Sequence, residues 1–380
     1  MFVPSFISQT RSRFLHAGMT IRQSALLMAS IISLISISHI DVKAATCPST
    51  YNTTRKLSYN PGAKKYVLIL SKASQSVLVL DYASLDSITS IAVGTDPHEI
   101  ITNPDGHLAY VSRPEMNAQG HHIAVLDLKN LRLSQTIDTR PFFIPHGLAY
   151  HQAQLWYTAQ GSKAVAVYDI KHQKVEQVFG TGQDFTHLIY VRPDGKAFYT
   201  TNVESGTISI FELRDLPPYM PPTGVLPAGA KSTKQWRQTL VCVDPGCEGF
   251  DVSKDGKELW TASPNGNIVI VDLEGKQVKA RINTHVMGLH RLKITPDGKT
   301  VCVVSVKTGD LLYYNRQTHQ LEQKAHIGQG AGIYMDKNSN RMFISCTPNN
   351  YVSVIDLTTR KEIRKIPTGR PDGITSVTVN

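Results

Sequence analysis

An all-β, circular fold of seven like units is what this sequence predicts, and three observations predict it. A refrain recurs seven times: a tight turn, often Pro-Asp-Gly-Lys, then a strand, a small loop, a Val/Ile-rich strand ending in Asp-Leu, and a third strand. Its copies begin near Asn60, Asn103, His151, Pro193, Lys254, Pro296 and Lys337, at intervals in the forties apart from one stretched to 61 residues. The chain then ends in Pro371-Asp-Gly-Ile-Thr-Ser-Val-Thr-Val379, a strand with no unit after it. A strand-only repeat of this length signals a β-propeller. The expectation is a seven-bladed β-propeller of four-stranded blades, its ring closed by the C-terminal strand completing the first blade.

The elements follow in order. Residues 1–44 read as a secretory signal: Met19-Thr-Ile-Arg22 precedes an apolar, serine-bearing run from Ala25 to Ile40, and Val42-Lys43-Ala44 offers a small-residue cleavage site. Residues 45–59 form a lead-in, and 60–380 the propeller. The first copy, from Lys65 to Val93, shows three strands and lacks an innermost one, which the C-terminal strand supplies. In the third copy alternation predicts strands at Gln154–Ala159, Ala164–Asp169 and Val175–Phe179; in the fifth at Glu258–Ala262, Ile268–Asp272 and Val278–Ile282; in the seventh at Arg341–Cys346, Val352–Asp356 and Glu362–Ile366. Further apolar strands precede the turns at Gly147–Tyr150, Leu188–Val191, Gly249–Val252, Arg291–Ile294 and Gly332–Met335. The stretched interval is a Pro-rich insertion at 214–235, between the third and fourth strands of the fourth blade. Prolines there cannot donate to a ladder, so a surface loop is expected, either a variable connection or a partner-docking one.

Composition is that of a globular protein, with 26 Gly and 20 Pro to serve many turns. The net charge of +10 falls to about +7 once residues 1–44 are removed, a moderate excess spread along the chain. Cys242 and Cys247 are close enough in sequence to bridge if their geometry permits, whereas Cys302 and Cys346 fall inside strands and are expected as buried thiols. No Cys-x-x-Cys-His occurs, which argues against covalent c-type haem. Neither a phosphate-binding Gly-rich loop ending in Lys-Ser/Thr nor a Gly-x-Ser-x-Gly elbow is present.

The strands carry a family likeness. Ala109-Tyr-Val-Ser112, Phe198-Tyr-Thr-Thr-Asn202 and Leu259-Trp-Thr-Ala262 stand where YVTN-type propeller repeats carry Tyr-Val-Thr-Asn, and the Pro-Asp-Gly turns at 104–106, 193–195 and 296–298 match too. Over residues 60 to 380 the chain resembles the YVTN-repeat β-propeller family, and within it secreted bacterial YncE-like proteins. Cys302-Val-Val-Ser305 and Phe343-Ile-Ser-Cys346 keep strand character but depart from the letters. The resemblance implies the fold strongly and the activity weakly, because such folds host binding proteins, lactonases, lyases and haem carriers.

One repeat position concentrates chemistry. Seven residues before the turn Asp, or its equivalent, stand His98, His146, His187, Glu248, His290, Ala331 and Asp372. Each lies just before the innermost strand of its blade, so ring closure gathers them round one mouth of the central channel. Two roles fit. The side chains bond the next blade's backbone and fix inter-blade packing, or they form a ligand or metal site. Imidazoles with carboxylates suit a divalent transition metal. Neighbouring His98, His146 and His187 are the metal candidates, since opposite blades stand too far apart to share one ion; in ligand type the trio resembles a three-His zinc site. The loop from Arg113 to His122 adds Glu115, His121 and His122. Arg113, Arg140, Arg291 and Arg370 are expected near the same mouth, where a guanidinium favours a carboxylate or phosphate. Tyr110, Phe142 and Phe143 are either apolar walls or blade filling.

These features support a monomeric periplasmic or secreted propeller that binds a small molecule or protein at the mouth without turning it over, with no stable membrane span after signal cleavage. The alternative is a metal-assisted lyase or hydrolase acting on an anionic or lactone-type small molecule. There His98, His146 and His187 hold the ion and Glu248 or His290 serves as base. Weak nucleic-acid binding comes third, because aromatic residues are few and basic ones are not clustered.

Overall fold

The computed structural model describes residues 65–379; the expected signal segment, the lead-in, Cys47 and residues 60–64 lie outside the described residues. Seven antiparallel four-stranded sheets follow one another along the chain. Blade 1 comprises Lys65–Ser71, Ser76–Asp81 and Ser87–Ala92, and its inner strand is the C-terminal Pro371–Thr378. Tyr66 faces Val377 and Leu68 faces Thr375 in that closing pair. Blades 2 to 7 begin with the inner strands Ile100–Thr102, Pro145–His151, Thr186–Val191, Phe250–Val252, Leu289–Ile294 and Gly332–Met335. The expected strands are present within a residue or two at each end. Among the described residues no helix is long and apolar enough to cross a membrane.

The strands are apolar on both faces because each face meets a different neighbour. In blade 1, Leu68 and Leu70 join Ala109, Val111 and Leu126 of blade 2, whereas Val67 and Ile69 join Phe343, Val352 and Val354 of blade 7. Period-two alternation therefore sorts side chains between adjacent gaps rather than between core and solvent. One apolar cluster fills each successive gap round the ring, including the gap between blades 7 and 1. The aromatic-rich one lies between blades 3 and 4, where Trp156, Phe179, Phe198 and Phe211 pack together. Closure thus rests on backbone pairing in blade 1 and on apolar packing everywhere else.

One expectation is corrected and one open alternative is decided. The insertion is shorter than 214–235: strands Thr207–Leu216 and Thr233–Cys242 pair along their whole length, from Thr207 opposite Cys242 to Leu216 opposite Thr233. Only residues 217–232 lie outside the strands, because the prolines begin at Pro217 and the flanking residues retain their ladder donors. Cys242 and Cys247 do not bridge; both are free thiols, Cys242 exposed and Cys247 buried. Alternation places Val241 and Val243 in the core on either side of Cys242, so its side chain points outward, while Cys247 joins their cluster. Cys302 and Cys346 are buried, as their strand positions imply.

Candidate functional site

The hub is built by irregularities at the start of the inner strands. Register shifts between Pro145 and Leu148, between Thr186 and Ile189, and between Leu289 and Leu292, which places His146, His187 and His290 at bulges. A bulge turns the backbone away from its own ladder and re-aims the side chain. A second-strand hydroxyl then fixes the turns at His146 and His187. Thr158 Oγ1 accepts the Gly147 N–H at 2.8 Å and donates to the His187 carbonyl at 2.6 Å. Thr201 Oγ1 likewise accepts from Leu188 N–H at 3.2 Å and donates to the Glu248 carbonyl at 2.9 Å. These hydroxyls tie blade 3 to blade 4 and blade 4 to blade 5 through the backbone of the next hub residue. Gly147 permits the approach: a Cβ there would stand 2.4 Å from the His187 carbonyl oxygen.

Six contacts link the seven equivalent positions in succession, from Asp372 round to Ala331. Asp372 Oδ2 lies 3.5 Å from His98 Nε2. The His98 and His146 rings pack with centroids 4.2 Å apart, and those of His146 and His187 at 3.7 Å. His187 Nε2 stands 2.9 Å from Glu248 Oε1, and Glu248 Oε2 stands 2.8 Å from His290 Nε2. His290 Nδ1 donates to the Ala331 carbonyl at 2.7 Å. One contact fits the inter-blade packing role: His290 bonds the next blade's backbone. His98, His146 and His187 make a stack. The stack does not converge on a point. Among the described residues no group of three or more His, Cys, Asp and Glu side chains is placed to hold a metal ion.

Residues one step beyond the ring close the bore. Arg291 of blade 6 reaches across to Glu99 of blade 2, Nη2 to Oε1 at 2.7 Å, and lies 3.2 Å from Glu248 Oε1. Lys72, from the loop after the second strand of blade 1, contacts His98 Nδ1 and pairs with Asp372 at 2.9 Å and Asp96 at 3.1 Å. The lysine makes His98 Nδ1 an acceptor, so Nε2 carries the hydrogen that faces Asp372. Past this brace lies a cavity of about 230 Å³ walled by Ile100, Leu148, Ile189, Leu292, Ile333 and Ile374. Tyr190, Asp251, Lys293 and Tyr334 are shared between this cavity and a recess of about 560 Å³ that Lys254 and Lys337 also line.

The electrostatics are those of buried, mutually dependent groups. Burial pulls His146 well below the usual imidazole value, and neighbouring His187, His98 and Arg291 push the same way. Burial also lowers His187 against the opposing pull of Glu248. For His290 burial opposes the charge, but the Glu248 carboxylate prevails and raises it. Burial likewise disfavours the charged forms of Glu248 and Arg291, yet His290 and His187 hold Glu248 well below the carboxylate range, and Glu99 and Glu248 raise Arg291. Asp372 is held low, despite burial, by His98, Lys72 and Arg291. His146 is 1% exposed and its Nδ1 has no hydrogen-bond partner; the same is true of Arg291 Nε.

Of the arginines expected at the mouth, Arg291 alone joins the ring residues. Arg113 is engaged by Thr95 and Glu115, with Nη2 to Glu115 Oε1 at 2.7 Å. Arg140 is exposed and pairs with Asp138, and Arg370 is exposed. Tyr110 is blade filling between blades 2 and 3, and Phe142 packs against the same cluster. The sequence reading missed Glu99, Lys72 and Asp96. Glu99 and Arg291 share one repeat position, the residue after the hub position, which carries Gly at 147, 249, 332 and 373; two opposite charges among glycines were the available signal.

No protein-family model matches the chain, and no curated protein matches it. Solved structures do. A Bacteroides uniformis protein assigned provisionally as a 6-phosphogluconolactonase is similar over 83% of this chain and 100% of its own, at 14% identity and a TM-score of 0.64. Hydrazine synthase of Kuenenia stuttgartiensis is similar over 76% and 97%, at 18% identity and 0.58. The dihydro-heme d1 dehydrogenase NirN, solved with DHE, is similar over 84% and 76%, at 14% identity and 0.57. Likeness at these identities shows the fold alone.

Proposed function

We propose that this chain is an exported ligand-binding propeller of the YVTN type, and that it takes a small cationic ligand at the histidine-lined hub without turning it over. The observation that carries this is His146: wholly buried, without a partner on Nδ1, and set in the middle of an imidazole stack. An unpaired buried polar atom costs about 1–3 kcal/mol and calls for a functional account. The sign of the ligand follows from the fixed charges. Asp96, Glu99, Glu248 and Asp372 outnumber Lys72 and Arg291, and Arg291 is consumed by Glu99 and Glu248. That balance speaks against an anion clamp and for a cation, and four imidazoles favour a divalent transition ion among cations. His98, His146 and His187 are its proposed ligands, with Glu248 as the adjoining carboxylate. Ion capture requires the stacked rings to turn toward a common point.

The test is calorimetric titration of the purified chain with Zn²⁺, Cu²⁺ and Ni²⁺, and with small organic cations and anions as controls. Saturable cation binding that His146→Ala abolishes supports the reading; binding of anions alone overturns it. An enzymatic reading draws on the provisional lactonase among the similar folds. Hydrolysis of a lactone panel that His146→Ala and Glu248→Gln remove would establish that reading in place of passive binding.

A further inference from the structure

We propose that the tip of the blade-4 hairpin, residues 217–232, is a membrane-contact loop that seats its apolar side chains in the interface of an anionic lipid bilayer. The fold does not need this loop: in the other six blades the third and fourth strands are joined by short turns. Its composition is unusual for a surface segment. Tyr219, Met220, Val225 and Leu226 are 79%, 54%, 70% and 40% exposed, four of the eleven large exposed hydrophobics among the described residues, within sixteen residues. Exposed apolar residues are ordinary when scattered; gathered at one tip they mark a contact.

The form of the tip favours a bilayer over a protein groove. Tyr219 and Met220 lie on the outgoing arm and Val225 and Leu226 on the returning one, so the whole end is apolar rather than a single row. Pro217, Pro218, Pro221, Pro222 and Pro227 have no N–H. Two further N–H groups are closed inside the loop, Gly224 to the Pro221 carbonyl at 2.9 Å and Ala230 to the Pro227 carbonyl at 3.1 Å. Seven of the sixteen backbone positions thus need no N–H partner from solvent, which lowers the cost of setting irregular backbone at the level of the polar headgroups. Tyrosine suits the polar–apolar boundary.

Charge completes the match. Residues 217–230 carry none, and behind them stand Lys231, Lys234 and Arg237, none of them within ion-pair distance of a carboxylate among the described residues, although Lys234 lies opposite Asp215 in the ladder. Asp215 is the one carboxylate between Arg214 and Arg237, and Arg214 itself is paired with Glu212. An apolar end with a basic collar complements anionic headgroups lying above acyl chains. The stem is stiff enough to present it: the ten-residue strands are paired throughout, and Trp236 packs against Trp156, Phe179 and Phe198.

The test places a reporter in the loop, because residues 25–40 are also an apolar run and sedimentation does not separate its contribution from that of the loop. The full chain with Tyr219→Trp is mixed with vesicles of brominated phosphatidylcholine and phosphatidylglycerol at seven to three, and the unsubstituted chain is the blank. Quenching of the added indole that disappears in vesicles lacking phosphatidylglycerol or at high salt is the expected result. Adding Met220→Asp and Val225→Asp is expected to weaken that response by roughly tenfold, since affinity scales with buried apolar area. An indole that stays unquenched in every vesicle while the protein sediments with them overturns the proposal. So does quenching indifferent to lipid charge.

Discussion

Arg291 and Glu99 stand on blades 6 and 2 and meet across the bore, Nη2 to Oε1 at 2.7 Å, so an ion pair spans the channel that a ring of separate blades would leave open. Both side chains are largely buried, at 11% and 17% exposure. Removing one member of a buried pair strands the other charge, so Arg291→Ala is expected to cost about 3–5 kcal/mol of stability. Arg291→Met combined with Glu99→Gln removes both charges and is expected to recover at least half of that loss. Equilibrium unfolding in urea measures both. Equal destabilisation by the single and double variants would contradict the account.

The hub histidines make stability depend on pH in two directions. His146 and His187 are lowered in the folded chain. Below about pH 6.5 the unfolded chain takes up protons that the folded one refuses, so stability falls as pH drops from there, by up to about 1.4 kcal/mol per unit for each group. His290 is raised, so its contribution is complete below about pH 6.5 and is lost as pH rises toward its folded value. The hub contribution therefore peaks near pH 6.5. Urea midpoints across pH 5 to 8 should show the peak; His146→Phe should flatten the acid limb and His290→Phe the alkaline one.

The ring was legible because repetition averages over local noise: seven turns at a fixed interval define blades even where Cys302-Val-Val-Ser305 departs from the common letters. The hub position was legible for the same reason, and the contacts place His98, His146, His187, Glu248, His290 and Asp372 side by side. Cross-channel partners were not. Glu99 and Arg291 lie 192 residues apart, and nothing in one sequence ties blade 2 to blade 6. Arg113 ends the strand Leu108–Arg113 and is engaged by Glu115 two residues on, a local pairing that the repeat position alone does not reveal. Closeness in sequence left the pairing of Cys242 and Cys247 open, because it does not register the strand alternation that turns Cys242 outward.

Thr158 couples blade 3 to blade 4 by accepting from Gly147 N–H and donating to the His187 carbonyl, both within buried surroundings. Thr158→Val preserves shape but leaves a buried donor and a buried acceptor unmatched, which is expected to cost about 1–3 kcal/mol for each orphaned group. Thr158→Ser keeps the hydroxyl and should lose under half as much. A structural role alone predicts only the stability change. Because the hydroxyl sets the His187 backbone, cation affinity at the hub should also fall in Thr158→Val and be retained in Thr158→Ser, as read by calorimetry.

Closure by Pro371–Thr378 has a direct consequence for the edge it covers. Without it Lys65–Ser71 exposes unpaired N–H and C=O groups along a strand whose side chains are almost all buried, the kind of edge that recruits other chains. The same deletion takes away Asp372, leaving Lys72 with Asp96 as its carboxylate partner, and removes the Ser345 hydroxyl's acceptor on the Asp372 carbonyl. Ending the chain at Gly369 is therefore expected to give soluble aggregates or precipitate in place of a single species on size-exclusion chromatography. A synthetic peptide of residues 370–380 added during refolding should restore the single peak of the full chain, because the missing strand pairs on an edge the rest of the ring already presents. Truncated chain that runs as a stable monomer without the peptide would show that the apolar packing between blades 7 and 1 suffices to hold the ring.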